Sequence, residues 1–228
     1  MQRDTTILET DMVDSAEPDE FEHDTAQNED LNVAVFGMGC FWTPDAYFGV
    51  REGIRSTMVG YAGGEKEDPT YHALGDHTEV VRLLYDADTI EYDELLDLFL
   101  RGHDPSRQQK TQYRSVVFSV DETQAEKARA KIESMNVVTS VEPLDAFYMA
   151  ENYHQKYRLQ HTPSLQSRLK EVYDMPSYIR STTVTRLNGY VAGWGDIDTF
   201  EDMDGLGLEK GLRETVKKLY FRNKHVSC

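Results

Sequence analysis

Up to about residue 150 the apolar positions fall in short bursts separated by polar or glycine-rich stretches; beyond it they take helical spacing. "LNVAVFG" (31–37) is a nearly unbroken apolar run closed by glycine, the pattern of a buried strand. A helix is predicted from Cys40 to about Arg51, with Pro44 in its first turn, where a missing N–H does no harm. "GIRSTMVGYAGG" (53–64) reads as a second strand running into a glycine turn, and "EKEDPTYHALGDH" as a polar loop with His72 and His77 in solvent. "TEVVRLLYD" (78–86), rich in apolar and β-branched residues, is a third strand. "TIEYDELLDLFLRGH" puts Ile90, Leu95, Leu98 and Phe99 at helical spacing, with Thr89 as N-cap. "TQYRSVVFSV" (111–120) is a fourth strand, and "DETQAEKARAKIESM" a helix capped by Asp121. "VTSVEPLDAFYMA" (138–150) reads as one edge strand, because Pro143 has no N–H for a central ladder.

This order predicts an α+β two-layer sandwich: a split βαβ (ferredoxin-like) core, a mixed sheet, and helices over one face. After Asn152 the segments 162–195 and 206–222 read as a C-terminal helical extension, broken near "GWGDIDTFEDMDG". The chain thus divides into residues 1–30, a catalytic α+β domain over 31–160, and the helical extension over 161–228.

Charge sharpens the first boundary. Of the net −17, residues 1–30 carry −10, from eleven Asp or Glu and one Arg. With so few apolar groups such a segment cannot offset its ordering entropy, so it reads as an acidic disordered tail. The last nineteen residues reverse the sign, with six bases and one acid. An acidic folded part argues against nucleic-acid binding. No apolar run is long enough for a membrane span and no secretory signal is visible, so a cytoplasmic monomer is expected. The two cysteines, Cys40 and Cys228, allow neither a disulfide framework nor a cysteine zinc site, and no metal is expected.

Cys40 lies in "FGMGCFW", where strand meets helix. Glycines 37 and 39 permit a sharp turn, and a thiol at a helix N-terminus has its pKa lowered by free N–H groups. Read alone, the stretch fits an inert core thiol better than a nucleophile. Glu79 opens a predicted interior strand, where low dielectric would raise its pKa and make it an acid; an ordinary solvated carboxylate fits as well. Tyr71 and Tyr113 are potential oxygen ligands among thirteen tyrosines.

Six motifs then occur in order: "FGMGCFW", "VGYAGG", "DPTY", "HTEVVRLLYD", "TQYRS" and "AENYHQKY". Together they closely resemble peptide methionine sulfoxide reductases of the A type, over roughly Val33 to Tyr157. The resemblance implies thiol-dependent reduction of the S epimer of methionine sulfoxide, free or in oxidised proteins, as protein repair under oxidative stress. Cys40 would attack the sulfoxide sulfur, and Phe41 and Trp42 would hold the S-methyl group. Glu79 would protonate the oxygen that Tyr71 and Tyr113 bind. No bound cofactor is implied; thioredoxin or another thiol would be the reductant.

Two departures stand out. The family carries an Asp five residues before the Tyr of "TQYRS"; here Gln108 stands there, and Asp104 belongs to the "HDP" element. The family's tail with recycling cysteines is replaced by a cysteine-free stretch, leaving Cys228, near Arg222, Lys224 and His225, to resolve the sulfenic acid. Two other classes are weighed. A non-catalytic methionine-sulfoxide-binding module would need neither Cys40 nor Glu79. A cysteine hydrolase with His103 or His154 as base lacks an oxyanion motif.

Overall fold

The structure, a computed structural model, describes residues 31–198 and 210–224. The acidic tail and Cys228 lie outside the described residues. Strand β1 (Leu31–Met38) leads to helix α1 (Trp42–Gly49), then β2 (Ile54–Ala62) and β3 (Thr78–Asp86). Helix α2 (Tyr92–Arg101), β4 (Ser115–Ser119) and α3 (Glu122–Ile132) follow, then β5 (Ser140–Pro143) and β6 (Phe147–Met149). The remainder is helical: α4 (Tyr157–Gln160), α5 (Pro163–Lys170), α6 (Met175–Arg180), α7 (Thr182–Val191) and α8 (Lys210–Asn223).

The strands form one mixed sheet in the order β5-β4-β1-β3-β2-β6. Only the β4–β5 pairing is parallel. The expected single strand over 138–150 is therefore two strands, one at each edge of the sheet. Four Cα steps from Pro143 to Phe147 span at most about 15 Å. Five inter-strand gaps of a flat sheet measure about 24 Å. The sheet must curl until its two edges approach. Inside the curl, a Cβ added to Gly63, just past β2, would strike the ring of Phe118 on β4. Pro143 does sit at an edge, as its missing donor requires.

Both sheet faces are covered, which explains the unbroken apolar run of β1. Ala34 and Phe36 face the helices, with Phe36 stacked on Phe99 of α2 at 5.0 Å and on Phe48 of α1 at 5.7 Å. Val33 and Val35 face the inside of the curl, with Val80, Leu84 and Phe118. Helix starts differ slightly from expectation. Asp121 caps α3 by accepting from the Gln124 N–H at 2.8 Å. The cap of α2 is Glu91 rather than Thr89, whose N–H is bound to Asp86 in the preceding turn. His77 is buried rather than solvated, because its ring closes the loop: Nδ1 accepts from Gly64 at 3.2 Å and Nε2 meets the Lys66 carbonyl at 2.7 Å.

Asp174 and Ser181 each cap a new helix, splitting the expected 162–195 segment. The helices bury a second core around Leu159, Leu165, Leu187, Tyr190, Val216 and Tyr220. Helix α7 lies directly on α1. A Cβ on Gly189 would meet Val50 and the Ala46 carbonyl, and one on Gly49 would meet the Thr185 carbonyl. Gly189→Val is expected to lower stability by about 1–3 kcal/mol through overpacking, read as a drop in Tm with the chain otherwise folded.

Candidate active site

Cys40 lies in the turn between β1 and α1, one residue before the N-cap Phe41. Gly39 takes φ 88°, a conformation that favours glycine, and this lets the chain reverse between strand and helix. The residue is exposed. Its thiol is nevertheless pushed up from the ordinary cysteine range, chiefly because surrounding protein removes water from the sulfur. The Trp42 N–H and the Arg158 charge pull it down, and the Glu79 charge adds to the rise. The lowered pKa expected from a helix N-terminus is thus reversed: desolvation and a neighbouring carboxylate outweigh one N–H.

Glu79 is the second residue of β3, paired with Tyr61 of β2, and the residue is 1% exposed. Oε2 accepts from the Phe41 N–H at 3.1 Å and Oε1 from Gln112 Nε2 at 2.8 Å. Burial raises its pKa against these two donors and the Lys110 charge. A solvated strand-end carboxylate is thereby excluded, and the group is suited to hold a proton.

Tyr113 lies in a short 3₁₀ turn, Thr111–Tyr113, not on the strand. Arg114 fastens that turn, donating to Thr78 Oγ1 at 2.8 Å and to Glu142 Oε2 at 2.8 Å. The Tyr113 phenol is pushed up to about 12, first by burial and then by its neighbours Glu79, Tyr71 and Cys40. The two phenols, the thiol and the carboxyl therefore share one site.

Trp42 opens α1 and is half-buried, stacked on Tyr157 at 3.6 Å and 7° between planes. Phe41 is fully buried against Val59, Tyr61 and Ala150, so it shapes the cleft from beneath while Trp42 presents a face. Asp104 is held in its own exposed turn by Ser106 at 2.6 Å and does not reach this cluster. His103 is bound between the Phe99 carbonyl at 2.8 Å and the Ser115 hydroxyl at 2.7 Å. Among the described residues no group of three His, Cys, Asp or Glu could hold a metal ion.

Within "ENYHQKY" the sequence offered only His154, as the base of a cysteine hydrolase; the structure shows the stretch holding the site's tyrosines and Trp42 in place. Glu151 accepts from the Tyr71 N–H at 2.9 Å and the Tyr61 hydroxyl at 2.8 Å. Burial pushes its carboxyl up, but these donors and His154 hold it below the usual range, the opposite direction to Glu79. His154 Nδ1 accepts from Trp42 Nε1 at 3.2 Å and fixes that ring. Gln155 bonds both the N–H and the carbonyl of Val59, at 3.1 and 2.8 Å. Five polar or charged residues in seven, directly after a strand edge, was the signal available. Asp45 and Lys156 were missed as well. Both are fully buried, and Asp45 accepts from Lys156 Nζ at 3.2 Å, the Lys156 N–H at 3.1 Å and Asn188 at 2.9 Å.

A thiol beside a buried carboxyl whose pKa burial raises, with two phenols in the same site, is the chemistry of a thiol-based oxidoreductase. Residues 32–183 match the family model described as peptide methionine sulfoxide reductase, and residues 178–220 match the helical domain of selenoprotein methionine sulfoxide reductase A. The Drosophila melanogaster peptide methionine sulfoxide reductase is 40% identical over 200 residues, covering 81% of this chain and 80% of its own. The Nautilia profundicola enzyme is 48% identical over 139 residues, covering 54% of this chain and 80% of its own. The reduced form of Mxr1 from Saccharomyces cerevisiae superposes with TM-score 0.54 and 30% identity, over 68% of this chain and 94% of that one. The chain belongs to the peptide methionine sulfoxide reductase family. It is a thiol-dependent enzyme that reduces methionine sulfoxide to methionine.

Proposed function

We propose that Cys40 and Glu79 act as one unit on the S epimer of methionine sulfoxide, free or in oxidised proteins. The observation that carries this is the buried Glu79 carboxyl bonded to the N–H of Phe41, the residue after the thiol. A sulfoxide is a poor electrophile until its oxygen is protonated. The Cys40 thiolate attacks the sulfur while Glu79 gives its proton to the oxygen, held by Tyr71 and Tyr113. Attack forms a bond between the two sulfurs, and the oxygen, having taken the Glu79 proton and one from solvent, leaves as water when the S–O bond breaks. A water then attacks the Cys40 sulfur, the S–S bond breaks, methionine leaves with its electron pair, and Cys40 is left as sulfenic acid with release of one proton. Trp42, with Phe41 beneath it, receives the S-methyl group. Turnover of the separated epimers with dithiothreitol tests the reading; reduction of the R epimer alone would overturn it.

Recycling is proposed to run through Cys228. Its thiol condenses with the Cys40 sulfenic acid, forming the disulfide and releasing water, and thioredoxin then reduces the disulfide. The C-terminal end of α8 supports this: Arg222 and Asn223 line the same cleft as Tyr157, which stacks on Trp42. Five further residues reach at most about 17 Å. After one turnover without reductant, mass spectrometry is expected to find a Cys40–Cys228 disulfide. A persisting sulfenic acid sinks this route.

Residues 31–160 are proposed as the catalytic part, with the strand run β4-β1-β3-β2 as its split βαβ core, and 161–228 as a brace on α1. Among the described residues no helix is long and apolar enough to cross a membrane, and we place the enzyme in the cytoplasm as a monomer.

A further inference from the structure

Where α4 and the start of α5 face the ends of α7 and α8, the surface opens into a cleft of about 770 Å³. Its walls carry Arg158, Lys218 and Arg222, with His161, and no acidic residue. None of the three cations has an ion-pair partner among the described residues, whereas Arg168 on α5 is paired with Glu171 at 2.7 Å. Pro163, Val191 and Leu219 supply apolar wall between the charges. A surface helix usually scatters both signs. Like charges gathered in a concavity focus a positive field and favour an anionic occupant.

The cleft adjoins the active centre. Tyr157 belongs to both, since its ring stacks on Trp42 at 3.6 Å, two residues from Cys40. Arg158 follows directly and its charge is felt at the thiol. A polypeptide with its oxidised methionine at Cys40 therefore has a wall of cations and apolar surface beside its flanking residues.

We propose that this cleft binds an acidic flank of the polypeptide substrate, so that the enzyme selects methionine sulfoxide in acidic segments. The inference rests on the proposed roles of Cys40 and Trp42, which set where the substrate side chain lies. Binding there precedes recycling: the product leaves before Cys228 approaches. The other anionic candidate is the chain's own residues 1–30, with eleven acids. It is an outcome of the test.

The experiment uses the full chain with dithiothreitol as reductant. kcat/KM is measured for peptides carrying glutamates, glutamines or lysines around one methionine S-sulfoxide, and for the free amino acid. At low ionic strength the glutamate peptide is expected to exceed the lysine peptide about tenfold, with the difference shrinking in salt. In the charge-reversal variant Lys218→Glu the preference falls to about twofold, while turnover of the free sulfoxide, which also reports folding, is unchanged. Equal rates on the peptides, or a preference that survives in Lys218→Glu, overturn the proposal. A preference that emerges only after residues 1–30 are removed assigns the cleft to the tail and overturns it too. Failure to reduce free sulfoxide would instead strike the functional reading itself.

Discussion

Glu79→Gln is expected to lower kcat/KM for methionine S-sulfoxide by about 10²–10⁴-fold, the range for loss of a positioned general acid. The amide keeps the shape and an acceptor for the Phe41 N–H at the position of Oε2. What it loses is the proton. The pH profile separates this from mere disturbance. In the proposed mechanism the reactive state of the Cys40–Glu79 pair holds one proton, on the carboxyl. At low pH both groups are protonated and the thiolate disappears; at high pH both protons are lost and the sulfoxide oxygen goes unprotonated. The parent should therefore show a bell whose two limbs belong to the pair. Burial raises both groups, and the Glu79 charge contributes to the rise at Cys40. Removing that charge removes one cause of the raised thiol. The variant should show a single ascending limb, its midpoint below the parent's thiol ionisation, with no alkaline fall. An alkaline limb that persists in the variant would assign the proton to another group.

The second large effect concerns stability. Asp45→Ala is expected to cost about 3–5 kcal/mol, because it leaves the buried Lys156 ammonium without its counter-charge. At this chain length that is a fall in Tm of roughly 10 °C. Lys156→Met should cost less. The carboxylate it leaves behind still accepts from Thr57 at 2.5 Å, the residue 156 N–H at 3.1 Å and Asn188 at 2.9 Å. Thermal unfolding of the two variants side by side checks the order; equal Tm values would show that the pair is not the point of attachment. The same carboxylate joins α1, which carries the active-site turn, to α7 through Asn188. Asp45→Ala should therefore also loosen Trp42 and raise KM before it lowers kcat.

Much of the site was legible because its parts are local. Cys40 sits in its turn, Glu79 at the head of β3 and Asp121 at the cap of α3, each marked by neighbours within a few residues. Tyr113 was legible as a site residue but not as part of a 3₁₀ turn, because Arg114 decides that turn by reaching Thr78 and Glu142, 36 and 28 residues away in sequence. His77 was misread for a similar reason: its partners Gly64 and Lys66 lie across a loop whose closure no local pattern announces. The ionisation of Cys40 went the other way from the local argument, since desolvation is a property of everything packed nearby.

By itself the sequence determined the α+β class, the strands that alternate or run apolar, and the helical character of the C-terminal part. Those follow from periodicity within single short segments. Only the tertiary structure decided that β5 and β6 occupy opposite edges, that the sheet must curl between them, and that Glu79 is buried, which raises its pKa. It also decided that Asp45 meets Lys156 and Asn188, 111 and 143 residues further along the chain. The physical reason is common to all of these. Strand pairing, burial and the pairing of buried charges depend on which distant segments meet, and residue spacing along one segment carries no record of that.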